Sequence, residues 1–271
     1  VAAVPTVEAP FNEERLMSNP PRLFFAHANG FAPGAYEPLL KPLEHRYRVE
    51  APALLPLRQG RPPSGRWGEI AEDLAPLVDA EATPTVGVGH SLGAVALLML
   101  AATRPARFSR LVLIEPPTIP AWLAAVLGHA PAAVRRKSPM AEATRRRPDA
   151  WTSFEQAFAQ ARARSWYARL DDAALRLVLQ NVLHHDGQQW RPRFHTEWEA
   201  TLYERPTSVW PLLARRDLPP IVVLRGAQSS VFPAAAFARW RRLRPDDEAI
   251  EIPSTGHLLP LEAPARIASL L

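Results

Sequence analysis

The 271-residue chain contains no cysteine. That absence excludes disulfides, thiolate metal sites and a cysteine nucleophile together. Lysine is almost missing too. Lys41 and Lys137 are the only two, so the formal charge of +5 and the pI of about 10.2 come almost entirely from arginine. No apolar run is longer than Ala94–Ala102, far short of the roughly 20 residues that a spanning helix needs. The N-terminal stretch VAAVPTVEAPFNEER places prolines and carboxylates where a signal peptide needs unbroken apolar sequence. The expectation is a soluble, cytoplasmic protein that engages no membrane. A last absence is local: from Arg225 to Pro245, just beyond the apolar run Ile221-Val222-Val223-Leu224, there is no Asp or Glu.

What is present allows a sizeable core. With 47% hydrophobic and 22% charged residues the chain is not disordered by composition. Its length suits one large α/β domain, or one domain carrying an insertion. Arg135-Arg136-Lys137 and Arg145-Arg146-Arg147 form one basic cluster. An anionic partner such as nucleic acid is one reading of it. No nucleic-acid motif accompanies it, so a solvated helix face is the reading adopted, with no nucleic-acid partner.

Along the chain, short β-branched or apolar runs alternate with amphipathic patterns. Arg22–Ala26, Tyr47–Leu54, Thr85–Gly89, Leu111–Ile114, 221–224 and 249–252 read as strands. Trp67, Ile70, Leu74, Leu77 and Val78 mark an amphipathic helix, and Leu92–Thr103 a helix rich in small residues. Strands alternating with helices predict a mostly parallel sheet covered on both faces. The rhythm breaks between Pro116 and Arg216, which hold six of the eight tryptophans and no convincing strand. There Leu175, Val178, Leu179, Val182 and Leu183 keep helical spacing, with Asp171 as the expected N-cap.

The chemistry centres on Gly89-His90-Ser91-Leu92-Gly93, a G-x-S-x-G between a strand and a helix. The turn lifts the Ser91 hydroxyl to the edge of the sheet, where free amides of the following helix favour developing negative charge. Ser91 is therefore the expected nucleophile.

With its HANGF loop after the first strong strand, its GHSLG and its terminal Ser254-Thr255-Gly256-His257, the chain resembles the α/β-hydrolase fold family, specifically the serine hydrolases that carry a helical cap. The resemblance runs from Arg22 to the end. It implies an α/β-hydrolase fold, a mostly parallel sheet flanked by helices, with residues 1–115 and 217–271 as the core domain and 116–216 as a helical cap insertion. Family members usually have two further strands before the oxyanion loop; only 21 residues precede Arg22 here, and Pro5–Ala9 is the stretch that would supply a remnant. The resemblance also makes His257 the base, with His90 packed beneath the serine and His27 a structural hydrogen-bonder under the oxyanion loop.

A serine–histidine pair calls for a carboxylate to hold the imidazole tautomer, an effect worth up to about 10⁴ in rate. Most family members place it after the strand equivalent to 221–224, where this chain has Ser230. Asp246 and Asp247 follow the next helix and belong at the opposite edge of the sheet. Glu115 ends the strand Leu111–Ile114 on the same edge as Ser91, an arrangement similar to that of some haloalkane dehalogenases. The expected triad is Ser91, His257 and Glu115; the competing readings pair Glu115 with an arginine such as Arg225, or leave a dyad that works without an acid. For the oxyanion hole, the Leu92 amide is one expected donor. Asn29 or Phe31 supplies the other, with Asn29 preferred.

The implied activity is hydrolysis of a carboxylic ester through an acyl-enzyme, without a cofactor or metal, on a small ester-like substrate; a homodimer stays open. A lactonase, thioesterase, amidase or carbon–carbon bond hydrolase would share the same residues, as would a lyase. A non-catalytic ligand-binding relative is the reading from another class. Trp122, Trp151, Phe154, Phe158, Trp166, Tyr167, Trp190 and Trp198 are candidates for pocket lining or plain packing. His184-His185-Asp186 and His195 match no metal-ligand spacing.

Overall fold

A computed structural model describes residues 20–271. The stretch Pro5–Ala9, expected above to hold a strand remnant, lies outside these residues. Six parallel strands form the main sheet: β1 (Arg22–Ala26), β2 (Arg48–Glu50), β3 (Thr85–His90), β4 (Phe108–Ile114), β7 (Ile221–Gly226) and β8 (Glu248–Ile252). Their spatial order is β2-β1-β3-β4-β7-β8. The chain leaves β1 in one direction to form β2, then returns past β1 to form β3. The order reverses there, so the loops after β1 and β3 part and leave a crevice at the carboxyl ends of the strands, the usual ligand position in open α/β sheets.

Strand alternation builds two cores. Phe24, Leu111, Leu113, Ile221 and Val223 point to one face, which is covered by the helices Trp67–Asp79, Leu92–Thr103 and Ala234–Leu243. Leu23, Phe25, Val112, Ile114, Val222 and Leu224 point to the other and meet Tyr36, Leu39, Leu259 and Ile267. With both faces covered, central strands read as continuous apolar runs, and burying each such side chain contributes about 1.5–3 kcal/mol. The expected strand over Tyr47–Leu54 shrinks to Arg48–Glu50, because Pro52 cannot donate to a ladder and Leu54 begins the turn into the helix Leu55–Gln59.

Between β4 and β7 the chain is mainly helical. The helix Asp172–Val182 starts where expected, with the Asp171 side chain accepting the Ala174 amide at 2.7 Å. One expectation fails: the segment does contain strands. Leu183–His185 (β5) and Trp190–Pro192 (β6) form an antiparallel hairpin. Leu183, read as the last residue of the helical stripe, is the first of β5. Asp186 Oδ1 accepts the amides of Gln188 and Gln189 across the turn, and Gly187 takes a φ of 100°. Three-residue strands are too short to show a period of two, so only this turn chemistry marked the hairpin.

The basic cluster is not simply a solvated face. Arg145 pairs with Glu197 and Glu204, Arg136 with Glu197, Arg146 with Glu142, and Arg147 with Glu199. The acids on and around the helix Thr196–Leu202 take up most of this charge. No helix among the described residues is long and apolar enough to cross a membrane.

Candidate active site

Ser91 stands between β3 and the helix Leu92–Thr103 with φ 54° and ψ −117°. A non-glycine residue in such a region costs on the order of 1–3 kcal/mol and persists only where its surroundings impose it. Here the surroundings do. The Ser91 amide donates to the Ile114 carbonyl at 3.0 Å. A Cβ on Gly89 would fall 2.6 Å from the Ala94 backbone, and one on Gly93 2.1 Å from the Ala26 carbonyl oxygen. Both motif glycines are thus spaces that neighbouring backbone fills, and they let the helix start directly against β1. Glu115 and Ser254 are the other non-glycine residues with positive φ among those described, and all three lie at or near the same edge of the sheet.

His257 follows β8 and reaches both partners. Its Nε2 lies 3.0 Å from Ser91 Oγ and its Nδ1 3.1 Å from Glu115 Oε2. The loop comes this close because β7 ends in Gly226: a Cβ there would sit 2.4 Å from the Gly256 carbonyl oxygen. The Ala227 amide donates to Ile252 and the Gln228 amide to Thr255, both at 2.9 Å, which ties the two loops together.

Glu115 is fully buried and is not paired with an arginine. Arg225 spends its guanidinium on the Phe232 and Ala227 carbonyls and on Glu251. Instead, Glu115 Oε1 accepts the Gly226 amide at 2.6 Å, and Oε2 accepts the hydroxyl of Ser229. The Ser229 oxygen in turn accepts the amides of Val231 and Phe232, so its one proton has to go to Glu115. Ser230, the position singled out in the sequence, is exposed; its neighbour Ser229 faces inward. Asp247 accepts from Arg244, away from this site.

Burial pushes the Glu115 carboxyl up to about 8, against the pull of the Ser229 hydroxyl, the Gly226 amide and the Arg225 charge. Burial also lowers the His257 imidazolium to about 3. Both shifts express one fact: in this desolvated place neither charge is favoured alone. If Nε2 is to accept from Ser91, Nδ1 carries the ring proton and gives Glu115 a third donor.

A second hydrogen-bonded line runs under the site. The His90 ring lies 2.9 Å from the His257 carbonyl through Nε2 and 2.8 Å from the Tyr36 hydroxyl through Nδ1. The His257 carbonyl can only accept, so His90 Nε2 bears the proton. Burial, reinforced by His257, holds His90 neutral. Its Nδ1 therefore accepts from Tyr36, whose oxygen accepts the Ala28 amide at 3.2 Å. His27 lies deeper: its Nε2 accepts the Leu54 amide at 2.9 Å, and its Nδ1 donates to the Ala28 carbonyl at 2.8 Å. Burial lowers its pKa to about 4.

Of the expected oxyanion donors, Leu92 opens its helix, where first-turn amides have no intrahelical acceptor. The Phe31 amide is engaged with the Ala28 carbonyl at 3.3 Å, whereas the Asn29 amide has no acceptor among the described residues. The Asn29 side chain anchors its loop by donating to the Glu199 carbonyl at 3.1 Å.

The segment between β4 and β7 contributes Trp166, whose ring centroid lies 5.3 Å from that of His257. Trp151 and Tyr167 line a cavity, Phe154 packs edge-on to Trp190, and Trp122 is 67% exposed. His195 caps its helix by accepting the Glu197 amide, and His185 packs against Trp190. The described residues hold no group of three or more His, Asp or Glu placed to hold a metal ion.

A sequence-family model described as the alpha/beta hydrolase family matches residues 23–270. No curated protein matches the sequence. Among solved structures, E-2-(acetamidomethylene)succinate hydrolase is similar with a TM-score of 0.75 at 22% identity, over 93% of this chain and 90% of that one. A thermophilic esterase from Thermogutta terrifontis, with malate bound, gives 0.65 at 21% identity over 93% and 88%. The enol-lactonase from Burkholderia xenovorans LB400 gives 0.61 at 16% identity over 93% and 90%. At these identities the likeness shows the fold.

Proposed function

The chain belongs to the alpha/beta hydrolase family, and on that premise we propose that it hydrolyses carboxylic esters through an acyl-enzyme on Ser91. The observation that carries this reading is the unbroken line from Ser91 Oγ to His257 Nε2 at 3.0 Å and from His257 Nδ1 to Glu115 Oε2 at 3.1 Å.

Serine is a weak nucleophile while protonated. His257 takes the hydroxyl proton as Ser91 attacks the acyl carbonyl, and Glu115 stabilises the imidazolium that forms. The new oxyanion is met by the amides of Leu92 and Asn29; the loss of one such donor costs about 3 kcal/mol. His257 then gives its proton to the leaving alcohol. A water that His257 activates attacks the acyl-enzyme, and collapse of the second tetrahedral intermediate frees the acid and restores Ser91. No step calls on a cofactor. In this reading residues 116–216 are a cap over a core of 1–115 and 217–271, with Trp166 excluding water from the imidazole.

The same steps would serve a lactone, thioester or amide. The similar folds include a hydrolase of a succinate derivative, an esterase and an enol-lactonase, and fold alone does not choose between them. A non-catalytic binding role is disfavoured by a site in which strained backbone and three donors to one carboxylate converge on a serine.

The test is hydrolysis of p-nitrophenyl acetate by wild type and Ser91→Ala, with mass spectrometry of the quenched wild-type protein. Turnover abolished by Ser91→Ala, with an acetyl adduct on the Ser91 peptide, supports the reading. An inert wild type, or a Ser91→Ala variant as fast as wild type, overturns it.

A further inference from the structure

Beside the oxyanion loop the structure holds a cavity of about 50 Å³, with Gly30 in one wall and Arg147, Glu199, Arg164 and Tyr167 around it. Its charges do not cancel. Arg147 and Glu199 form a bidentate pair, with Nη1 3.0 Å from Oε1 and Nη2 on Oε2, so their charges offset each other. That pair is fixed in the fold. The Glu199 carboxylate lies against Gly30, where a Cβ would come within 2.8 Å of its Cδ, and Gly30 takes a φ of 77°.

Arg164 is different. It is half-buried, yet no carboxylate lies within ion-pair distance of it, and its guanidinium has no hydrogen-bond acceptor among the described residues. Burial, and then the neighbouring Arg147 charge, disfavour its protonated form, against a weaker pull from Tyr167 and Glu199. A partly desolvated cation without an anionic partner of its own is a costly arrangement, and an anion that enters the cavity relieves it. The other polar groups facing the space are donors as well. Tyr167, half-buried, offers a hydroxyl that stays protonated, and Gln160 spends its oxygen on Trp151 Nε1 at 2.9 Å, leaving its amide N–H groups.

We infer that this cavity binds a carboxylate carried by the substrate, held by Arg164 in a forked pair, so that the esters hydrolysed are monoesters of small dicarboxylic acids or esters of similar acid-bearing molecules. The planar guanidinium matches a carboxylate with two parallel hydrogen bonds. The cavity adjoins the loop that carries the expected oxyanion donor. Gly30 adjoins Asn29, and Trp166, two residues from Arg164, packs on His257. The inference rests on the ester-hydrolysis reading, because the carboxylate is assigned to the molecule whose carbonyl Ser91 attacks.

The test compares monomethyl and dimethyl esters of succinate and glutarate by pH-stat titration, in wild type and Arg164→Gln, with folding checked by circular dichroism. Wild type is expected to prefer the monoester in kcat/KM by about tenfold or more, the range of one charge-assisted hydrogen bond. Arg164→Gln is expected to erase that ratio through KM. Equal use of both esters, or a ratio that Arg164→Gln leaves intact, overturns the anion site while ester hydrolysis stands. Calorimetric titration of succinate itself separates the two ideas. If no methyl ester turns over, binding that Arg164→Gln weakens still supports the cavity assignment, and absence of binding overturns it.

Discussion

Glu115 leaves the end of β4 and accepts the Gly226 amide at the end of the adjacent strand β7 at 2.6 Å. That contact carries the Glu115 carboxylate from one strand to the end of the next. Ile114 and Leu224 are register partners, so the two strand ends lie side by side and face the same loop after β8. Replacing Glu115 by Gln offers His257 an amide in place of a carboxylate and favours the wrong tautomer. The expected loss in kcat is a hundredfold or more, about 2.7 kcal/mol. An unchanged kcat for p-nitrophenyl acetate would remove Glu115 from the mechanism.

The pH profile follows from the same burial. Glu115 is raised to about 8 and His257 lowered to about 3, so on acidification the first added proton goes to Glu115. The active form needs that carboxylate ionised, and kcat/KM should fall as pH drops through about 8 rather than through the usual histidine range. Glutamine does not titrate. In Glu115→Gln the residual rate should stay level down to about pH 5, since burial keeps His257 neutral. A limb that stays in place in this variant would belong to His257 instead.

Much of this was legible in the sequence. The run RLFFA, the GHSLG turn between a strand and a helix, and the missing acid between Arg225 and Pro245 all rest on local pattern, and the structure brings Ser91, His257 and Glu115 together as expected. What escaped depends on pairs far apart in the chain. Arg147 looked like one more solvated charge because its partner Glu199 lies 52 residues on. Nothing local announces the hydrogen bond from Tyr36 to His90, 54 positions away. Ser230 drew attention in place of Ser229 because spacing alone does not say which side chain of a tight turn points inward.

The line Ala28–Tyr36–His90–His257 predicts an effect of Tyr36→Phe on both stability and rate. The substitution keeps the ring packed against Phe25 at 4.8 Å but leaves the Ala28 amide and His90 Nδ1 without partners. Two buried orphaned groups cost about 1–3 kcal/mol each. The loop carrying Asn29 and the backbone of His257 should both loosen. The expected result is a lower Tm with kcat down about tenfold and KM little changed, since the groups affected serve the oxyanion rather than ground-state binding. A lower Tm with kcat intact would make Tyr36 structural only.

His27 gives a stability signature of opposite sign to that of Glu115. Its folded pKa is lowered to about 4, so between about 4 and 6.5 the unfolded chain holds more protons than the folded one. Stability is then lost as pH falls from 6.5, and the His27 share, about 3 kcal/mol, is fully lost below its folded pKa. Glu115, with a raised pKa, adds stability as pH falls from 8 toward 4.5. Urea unfolding of His27→Gln against wild type isolates the first contribution. The variant should start less stable at pH 8, because the fit to the Leu54 amide is lost, and should fall less steeply below 6.5. Equal slopes would refute the assignment.

The adjacency of β4 and β7 also predicts that the acid can be moved. Ser229 Oγ and His257 Nδ1 meet the same oxygen of Glu115, Oε2, so a carboxylate at position 229 would lie near the imidazole once Glu115 is cut back. Aspartate at 229 can still accept the Val231 and Phe232 amides that the serine oxygen accepts now. Glu115→Ala combined with Ser229→Asp should therefore recover at least about tenfold in kcat over Glu115→Ala alone, roughly 1.4 kcal/mol. In the presence of Glu115, Ser229→Asp should instead slow the enzyme, because two carboxylates would crowd one buried place and force one to keep its proton. Recovery in the double variant with loss in the single one would show that the site requires a charge at that point rather than a particular strand. No gain over Glu115→Ala would mean that the geometry set by β4 itself is needed.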